Sequence, residues 1–353
     1  MTVNLKNSIQ TVFITGFVAC ILLLTSCDKT PKQTDIGIDP ADSLQNGVFI
    51  CNEGNFQWGN ASLSFYNTSS HKLYEDVFKA INNKPLGDVL QSITVFNNIA
   101  YLIVNNSGKI EMIDPKTFRS VGTITGLKSP RFLLGIQTNK AYVSDLYDNR
   151  ISVIDIEQKK VINTIPCPGW TEEMLLYGNK VFISNKNSSY LYIVNSQSDL
   201  ITDSIPIGYG SQCLQIDALN RLWVLTTGDQ ANSIPPQLHL INPSNLSILH
   251  SFSFAITAKP IKMIMNPAKT KIYWISDQAY SMDITSNSLP ANPMFQLSNK
   301  TLYAIGYNKY ENEILLANAK DYVQRSEILR YDTSGKYLGS FLAGINTSYF
   351  YSK

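Results

Sequence analysis

Hydrolytic, lyase or redox chemistry needs paired carboxylates, a base beside a nucleophile, or a cluster of metal ligands, and this sequence offers few such groups at useful spacing. Its three histidines are His71 in a turn, His239 inside an alternating strand and His250 at a strand end, a distribution that speaks against a His-rich metal centre. Glu172 and Glu173 are neighbours that would point to opposite sides of a strand. Asp114, Asp155, Asp283 and Asp332 recur, but each closes a strand just before a turn, where a carboxylate accepts backbone N–H groups. No glycine-rich phosphate loop or nucleophile motif is visible. Cys51, Cys167 and Cys213 match no metal or redox spacing and read as small buried hydrophobes, with a Cys167–Cys213 disulfide left open. The expectation is a protein with no catalytic residue, no metal and no cofactor.

The elements that must position any site repeat along the chain. Lys140 to Ile165, KAYVSDLYDNRISVIDIEQKKVINTI, holds three short β-branched strands separated by polar turns. The apolar residue opening its first strand recurs as Phe49, Tyr101, Tyr142, Phe182, Trp223, Tyr273 and Ile314, spaced 40 to 52 residues apart. The following strand recurs as SFYN, EMID, SVID, YIVN, HLIN, YSMD and LRYD. Seven units of this period predict an all-β, seven-bladed β-propeller with four-stranded blades. The first unit lacks its innermost strand, and Thr347 to Tyr351 (TSYFY) is left over at the other end. The ring is therefore expected to close by pairing the C-terminal strand into the first blade, over a single domain spanning 47–353.

Residues 1–26 read as a signal peptide, with Lys6 before an apolar run from Thr11 to Leu24 that is too short for a confident membrane span. Leu24-Thr25-Ser26-Cys27 resembles a bacterial lipobox, making Cys27 the expected lipidation site; an ordinary secretory signal with an incidental Cys27 is the alternative. Residues 27–46 read as a polar tether. The net charge of +2 supplies no field for nucleic acid.

Loops on one face of the ring, such as Asn52 to Ser62, Ser144 to Arg150 and Pro166 to Glu172, are rich in Asn, Gln, Tyr and Trp. Such groups give contact area with little desolvated charge and suit a flat amphipathic ligand or a protein surface. The lipobox, the tether, NEGNF at Asn52 to Phe56 and the V-I-D strands resemble the YncE-like propeller lipoproteins of Bacteroidetes, which include the BtuG-like cobalamin-capturing proteins. That resemblance implies a non-enzymatic, surface-exposed outer-membrane lipoprotein. It would hold cobalamin or another corrinoid as a transported ligand in its bowl and pass it to a TonB-dependent transporter. The residues it points to are Asn52, Glu53, Asn55, Phe56, Trp58, Asn105, Arg131, Tyr147, Trp170, Asn185, Tyr209, Gln212, Asp277, Tyr322, Arg325 and Tyr349. NEGNF has a second reading, a structural turn in which Gly54 takes a positive φ and Asn52 and Asn55 satisfy the loop backbone. Two other functions stay open: a protein- or glycan-binding propeller, and a metal-dependent lyase or lactonase.

Overall fold

Period-two alternation places one side of each strand against one neighbour and the other side against the next, and the structure uses both sides. In the strand Lys140–Asp145, Tyr142 packs with Val181, Ile183 and Val194 on one side, while Ala141 and Val143 pack with Tyr101, Ile103 and Met112 on the other. The same division recurs between successive sheets around the molecule, so the core is a set of inter-sheet layers. Six of the seven strand-opening residues seen in the sequence lie in these layers, and Phe49 packs edge-on to Phe65 and Phe118; each is at most 1% exposed. Burying each is worth about 2 kcal/mol.

The computed structural model describes residues 46–353, which fall within one compact unit; the signal segment, Cys27 and nearly all of the tether lie outside the described residues. Seven antiparallel sheets form the blades of a β-propeller. Blade 1 orders Thr347–Ser352, Gly47–Asn52, Ser62–Asn67 and Lys72–Tyr74 from inside to outside. Blades 2, 3, 4, 5 and 7 each run outward in sequence order, from inner strands Leu90–Phe96, Pro130–Gln137, Thr171–Tyr177, Ser211–Ile216 and Leu302–Asn308.

Two blades depart from the expected pattern. The outer strand of blade 1 stops at Tyr74, and α1 (Val77–Asn82) follows, burying Val77 and Phe78. Blade 6 has three strands, Ile261–Met265, Lys271–Ile275 and Ala279–Asp283. The segment after it contains Pro290 and Pro293, which lack the N–H a fourth strand would donate. It is held instead by side-chain and isolated backbone contacts: Met294 N–H donates to Ala279 O (2.9 Å), Gln278 exchanges two hydrogen bonds with the Leu297 backbone, and Phe295 stacks on Tyr331 of blade 7 at 3.7 Å. Asp114, Asp155 and Asp332 do cap turns through backbone N–H groups, whereas Asp283 lies 3.7 Å from Lys271. Cys51, Cys167 and Cys213 are buried free thiols.

The two ends of the sheet-forming chain meet in blade 1, where Val48 faces Ser352, Ile50 faces Phe350 and Cys51 faces Tyr349. Phe350 joins a layer with Val48, Ile50, Ala304 and Leu315, between blades 7 and 1. Its backbone passes so close to Gly306 that a Cβ there would sit 2.4 Å from the Phe350 Cβ. Removing residues 347–353 is expected to expose the inner edge of blade 1 and lower the melting temperature by more than about 10 °C. Gly306→Ala should cost roughly 1–3 kcal/mol by crowding the same strand. Thermal melts followed by circular dichroism check both, and a truncated protein melting with the parent would contradict closure by this strand.

Candidate functional site

At one end of the ring every inner strand breaks register with its neighbour. The shifts fall between Leu90 and Ser92, Pro130 and Leu133, Thr171 and Met174, Ser211 and Cys213, Ile261 and Met263, and Leu302 and Ala304, and in blade 1 beside Cys51 and Asn52. A bulge leaves a residue unpaired and re-aims its side chain. The residues released include Gln91, Arg131, Glu172, Gln212, Lys262, Tyr303 and Ser348, one for each blade, with Phe132 and Glu173 released beside them in blades 3 and 4. The first six line a cavity of about 370 Å³. Ser348 instead donates to Leu90 O (3.1 Å) and Gln91 O (3.2 Å), tying blade 1 to blade 2. A second tier comes from the residue that follows the second strand in blades 1 to 4: Glu53, Asn105, Leu146 and Lys186. Phe56, Trp170, Glu173 and Asn346 complete the part of the wall used below.

A polar network fixes one side of this cavity. Arg131 donates through Nε and Nη2 to Glu172 Oε1, at 3.1 and 2.8 Å, and through Nη1 to Gln91 Oε1. Trp170 Nε1 donates to the same Glu172 oxygen. The Trp170 ring also lies 5.5 Å from the Arg131 guanidinium and 4.2 Å from the Lys186 ammonium. On the other side, the Tyr303 hydroxyl donates to the Glu53 carboxylate at 3.0 Å. Burial raises the Glu53 carboxyl above its usual range, against the pull of Arg131 and Lys262. Burial likewise pushes Glu173 up to about 7, although its carboxylate accepts from Leu214 N–H at 2.9 Å. The Lys186 amine is pushed down by burial and by the nearby cations Arg131 and Lys262. The cavity thus presents both hydrogen-bond donors and acceptors, with a tryptophan face. Among the described residues no group of three or more His, Cys, Asp or Glu is placed to hold a metal ion.

Of the residues singled out in the sequence, Glu53, Phe56, Asn105, Arg131, Trp170 and Gln212 come together here. Asn52 and Asn185, expected on the bowl, are instead fully buried. Asn52 accepts from Thr347 Oγ1 (2.7 Å) and Gly344 N–H (3.2 Å), and Asn185 donates to Pro168 O (2.8 Å). Both close a second strand, where the side chain must clasp the adjoining chain. NEGNF therefore divides between its two readings. Gly54 takes φ 76° against Asn60, and Asn55 bonds Asn60 and Tyr322 O, while Glu53 and Phe56 face the cavity. Trp58 and Tyr147 are exposed outside it, and Tyr322 meets Tyr303 edge-on at 5.7 Å. Tyr209 is half-buried and accepts from Gly228 N–H through its carbonyl. Tyr349 packs edge-on to Phe132, and Arg325 bonds Glu75 and Ala343 O at the blade 7–blade 1 junction. Asp277 accepts from Tyr280 beside a separate cavity of about 240 Å³ in blade 6.

Gln91, Lys186, Lys262, Tyr303 and Asn346 carry no signal of their own in the sequence, and Glu172 and Glu173 stand out there only as a carboxylate pair expected to point apart. A signal for six of the bulge positions exists: each stands ten or eleven residues before the aromatic or aliphatic opener of the next strand.

Residues 46–351 match the family described as a domain of unknown function, DUF5074. The chain belongs to this family. Among solved structures, the DUF5074 propeller is similar to a quinonprotein alcohol dehydrogenase-like protein from Bacteroides thetaiotaomicron. The TM-score is 0.70 at 16% identity, over 88% of this chain and 78% of that one. It is also similar to the periplasmic gluconolactonase of Pseudomonas aeruginosa, with TM-score 0.63 at 11% identity over 87% and 98% of the two chains. A Lactobacillus plantarum protein gives TM-score 0.65 at 10% identity over 87% and 98%. At these identities the likeness is one of fold. No curated protein matches the chain significantly in sequence.

The position of Glu173 has a consequence for stability. Its folded carboxyl keeps its proton up to about pH 7, whereas an ordinary glutamic acid ionises near 4.5, so the charged group destabilises the fold above pH 7 and the penalty fades as pH falls toward 4.5. Glu173→Gln keeps an acceptor for Leu214 N–H. It should be more stable than the parent at pH 8 by about 1–3 kcal/mol, and the difference should vanish near pH 4.5. Denaturant unfolding at the two pH values reads this directly; equal stability at pH 8 would show that the carboxyl is not held in its neutral form.

Proposed function

We propose that this DUF5074 protein is a non-enzymatic binding module whose ligand sits in the mouth cavity, and that the ligand is cobalamin or a related corrinoid. The observation that carries the reading is that six blades each contribute one bulge-released side chain to a single cavity. Such convergence of unlike polar groups on one concavity is how small-molecule sites obtain orientation and specificity. The peripheral amides of a corrin can donate to Glu53 and Asn346 and accept from Gln91, Gln212 and the lysines. A cavity of about 370 Å³ receives one edge of so large a ligand. Phe56 and Tyr147, more than 60% exposed beside it, give apolar area for the remainder. The non-enzymatic reading is supported by the engagement of the cavity's carboxylates in fixed hydrogen bonds, Glu172 with Arg131, Glu53 with Tyr303 and Glu173 with Leu214 N–H.

The resemblance noted above extends the proposal to the cell. Acylation at Cys27 would tether the propeller to the outer membrane, facing the exterior, and a TonB-dependent transporter would receive the ligand. A second reading, in which the same face binds a protein or glycan, is favoured by Trp58, which is 77% exposed and stands outside the cavity.

Calorimetric titration of the purified protein with cyanocobalamin tests the first reading. One-to-one binding is expected, weakened at least tenfold by Trp170→Ala or Phe56→Ala. Absence of heat and of any thermal shift at high ligand would sink the corrinoid assignment, and the second reading would then be pursued with glycans and partner proteins.

A further inference from the structure

We infer that the mouth cavity takes an oxyanion of its ligand, a phosphate ester or a carboxylate, between the ammonium groups of Lys186 and Lys262; this rests on the reading of the mouth as a ligand seat. Several lysines elsewhere in the described structure find a carboxylate, as Lys84 does with Glu111 (2.8 Å), Lys140 with Asp199 and Lys300 with Glu327 (2.7 Å), while Lys180 donates to Ser244 O (2.9 Å). Lys186 and Lys262 both line the cavity, and neither has a carboxylate of a described residue within ion-pair distance.

The three carboxylates nearby are already engaged. Glu172 receives Arg131 and Trp170, Glu53 receives Tyr303, and Glu173 receives Leu214 N–H. Lys186 is held over the Trp170 ring, and Lys262 sits on the blade 6 bulge at φ 50°, a left-handed conformation that non-glycine residues seldom adopt. The two are close enough for the charge on Lys262 to depress the Lys186 amine. Glu172 acts electrostatically on Lys186, and Glu53 and Glu173 on Lys262, but burial raises the Glu53 and Glu173 carboxyls toward their neutral forms, so these two answer the cations Arg131, Lys186 and Lys262 less than full carboxylates would. An ammonium is a compact point charge suited to phosphate or carboxylate oxygens.

An independent observation points to a ligand at the same place. Asn346 donates through Nδ2 to Gly54 O, yet its Oδ1 is buried without a hydrogen-bond partner among the described residues, and Asn346 lines this cavity. Buried acceptors left unpaired cost free energy, so a ligand whose entry turns this side chain and brings a donor to Oδ1 relieves that cost. The ligand is thus expected to carry an oxyanion with a hydroxyl or amide donor near it.

Phenyl phosphate, benzoate and neutral benzamide, titrated in parallel and followed by ligand-observed NMR, test this. Both anions should bind more tightly than benzamide. Lys186→Met and Lys262→Met should each weaken them roughly tenfold and leave benzamide unchanged. Lys186→Arg and Lys262→Arg, which keep the charge, should retain anion binding. Tighter binding of phenyl phosphate than benzoate assigns a phosphate ester, and the reverse order a carboxylate. Equal binding of benzamide and the anions, indifference of the anions to both methionine substitutions, or no anion binding would overturn the inference. Cyanocobalamin titration is read separately. Lysine-dependent anion binding without corrinoid binding removes only the corrinoid assignment, and corrinoid binding with no lysine-dependent anion site removes only this inference.

Discussion

The antiparallel pairing of Thr347–Ser352 with Gly47–Asn52 is the contact on which the rest of the structure depends. Each blade is a thin sheet that buries its apolar residues only against its neighbours, and a ring has no neighbourless blade only while it is closed. The closing strand also fixes the mouth. Thr347 donates through Oγ1 to the buried amide oxygen of Asn52, and Ser348 reaches across to the backbone of blade 2. Residues 345 and 346 receive the backbone N–H groups of Gly54 and Glu53. The same few residues that shut the ring therefore set the position of Glu53, one wall of the cavity.

The bulges solve a geometric difficulty that the ring creates. A regular inner strand alternates its side chains between the two adjacent blades, which leaves none aimed along the axis. A break in register at the start of each inner strand releases at least one residue per blade from that alternation. The breaks of all the inner strands coincide at one end only, blade 3 alone adding a second between Gly135 and Gln137, so six released side chains meet there. Glu172 and Glu173 show the effect most directly. A regular strand would send them to opposite sides, yet with Thr171 opposite Asn185 and Met174 opposite Ile183 both reach the same cavity.

That is also the boundary of what could be read in the sequence. Strand-opening residues such as Tyr142 and Trp223 are legible because burial on alternating sides leaves a period of two, and the ring closure is legible because the first repeat lacks a strand that the last residues can supply. The bulge residues are not, because they are the places where the period fails. Gln91, Lys262 and Tyr303 share a position without sharing a chemistry, so no motif marks them. Asn52 and Asn185 misled for the converse reason. An asparagine beside a loop has the composition of a binding residue, but at the end of a second strand it saturates backbone groups of the adjoining segment. Blade 6 loses its fourth strand to Pro290 and Pro293, a local departure that the average repeat length conceals.

A repeated scaffold would, with identical residues at each bulge, offer a ligand as many equivalent orientations as there are blades. Here the equivalence is broken at that one position. Blades 2 to 4 place Gln91, Arg131 and Glu172 in a network closed upon itself and backed by Trp170, with Lys186 of blade 4 held over the same ring. Blades 5 to 7 place Gln212, Lys262 and Tyr303, of which the lysine has no carboxylate partner among the described residues. A bound molecule with one charged end gains more in one orientation than in any rotated about the axis, because only one arc of the rim can answer its charge. Fold and specificity would in this way be separated in the sequence: the strand residues that repeat hold the ring, and the position in each blade that does not repeat would, on the proposed reading, select how a ligand lies within it.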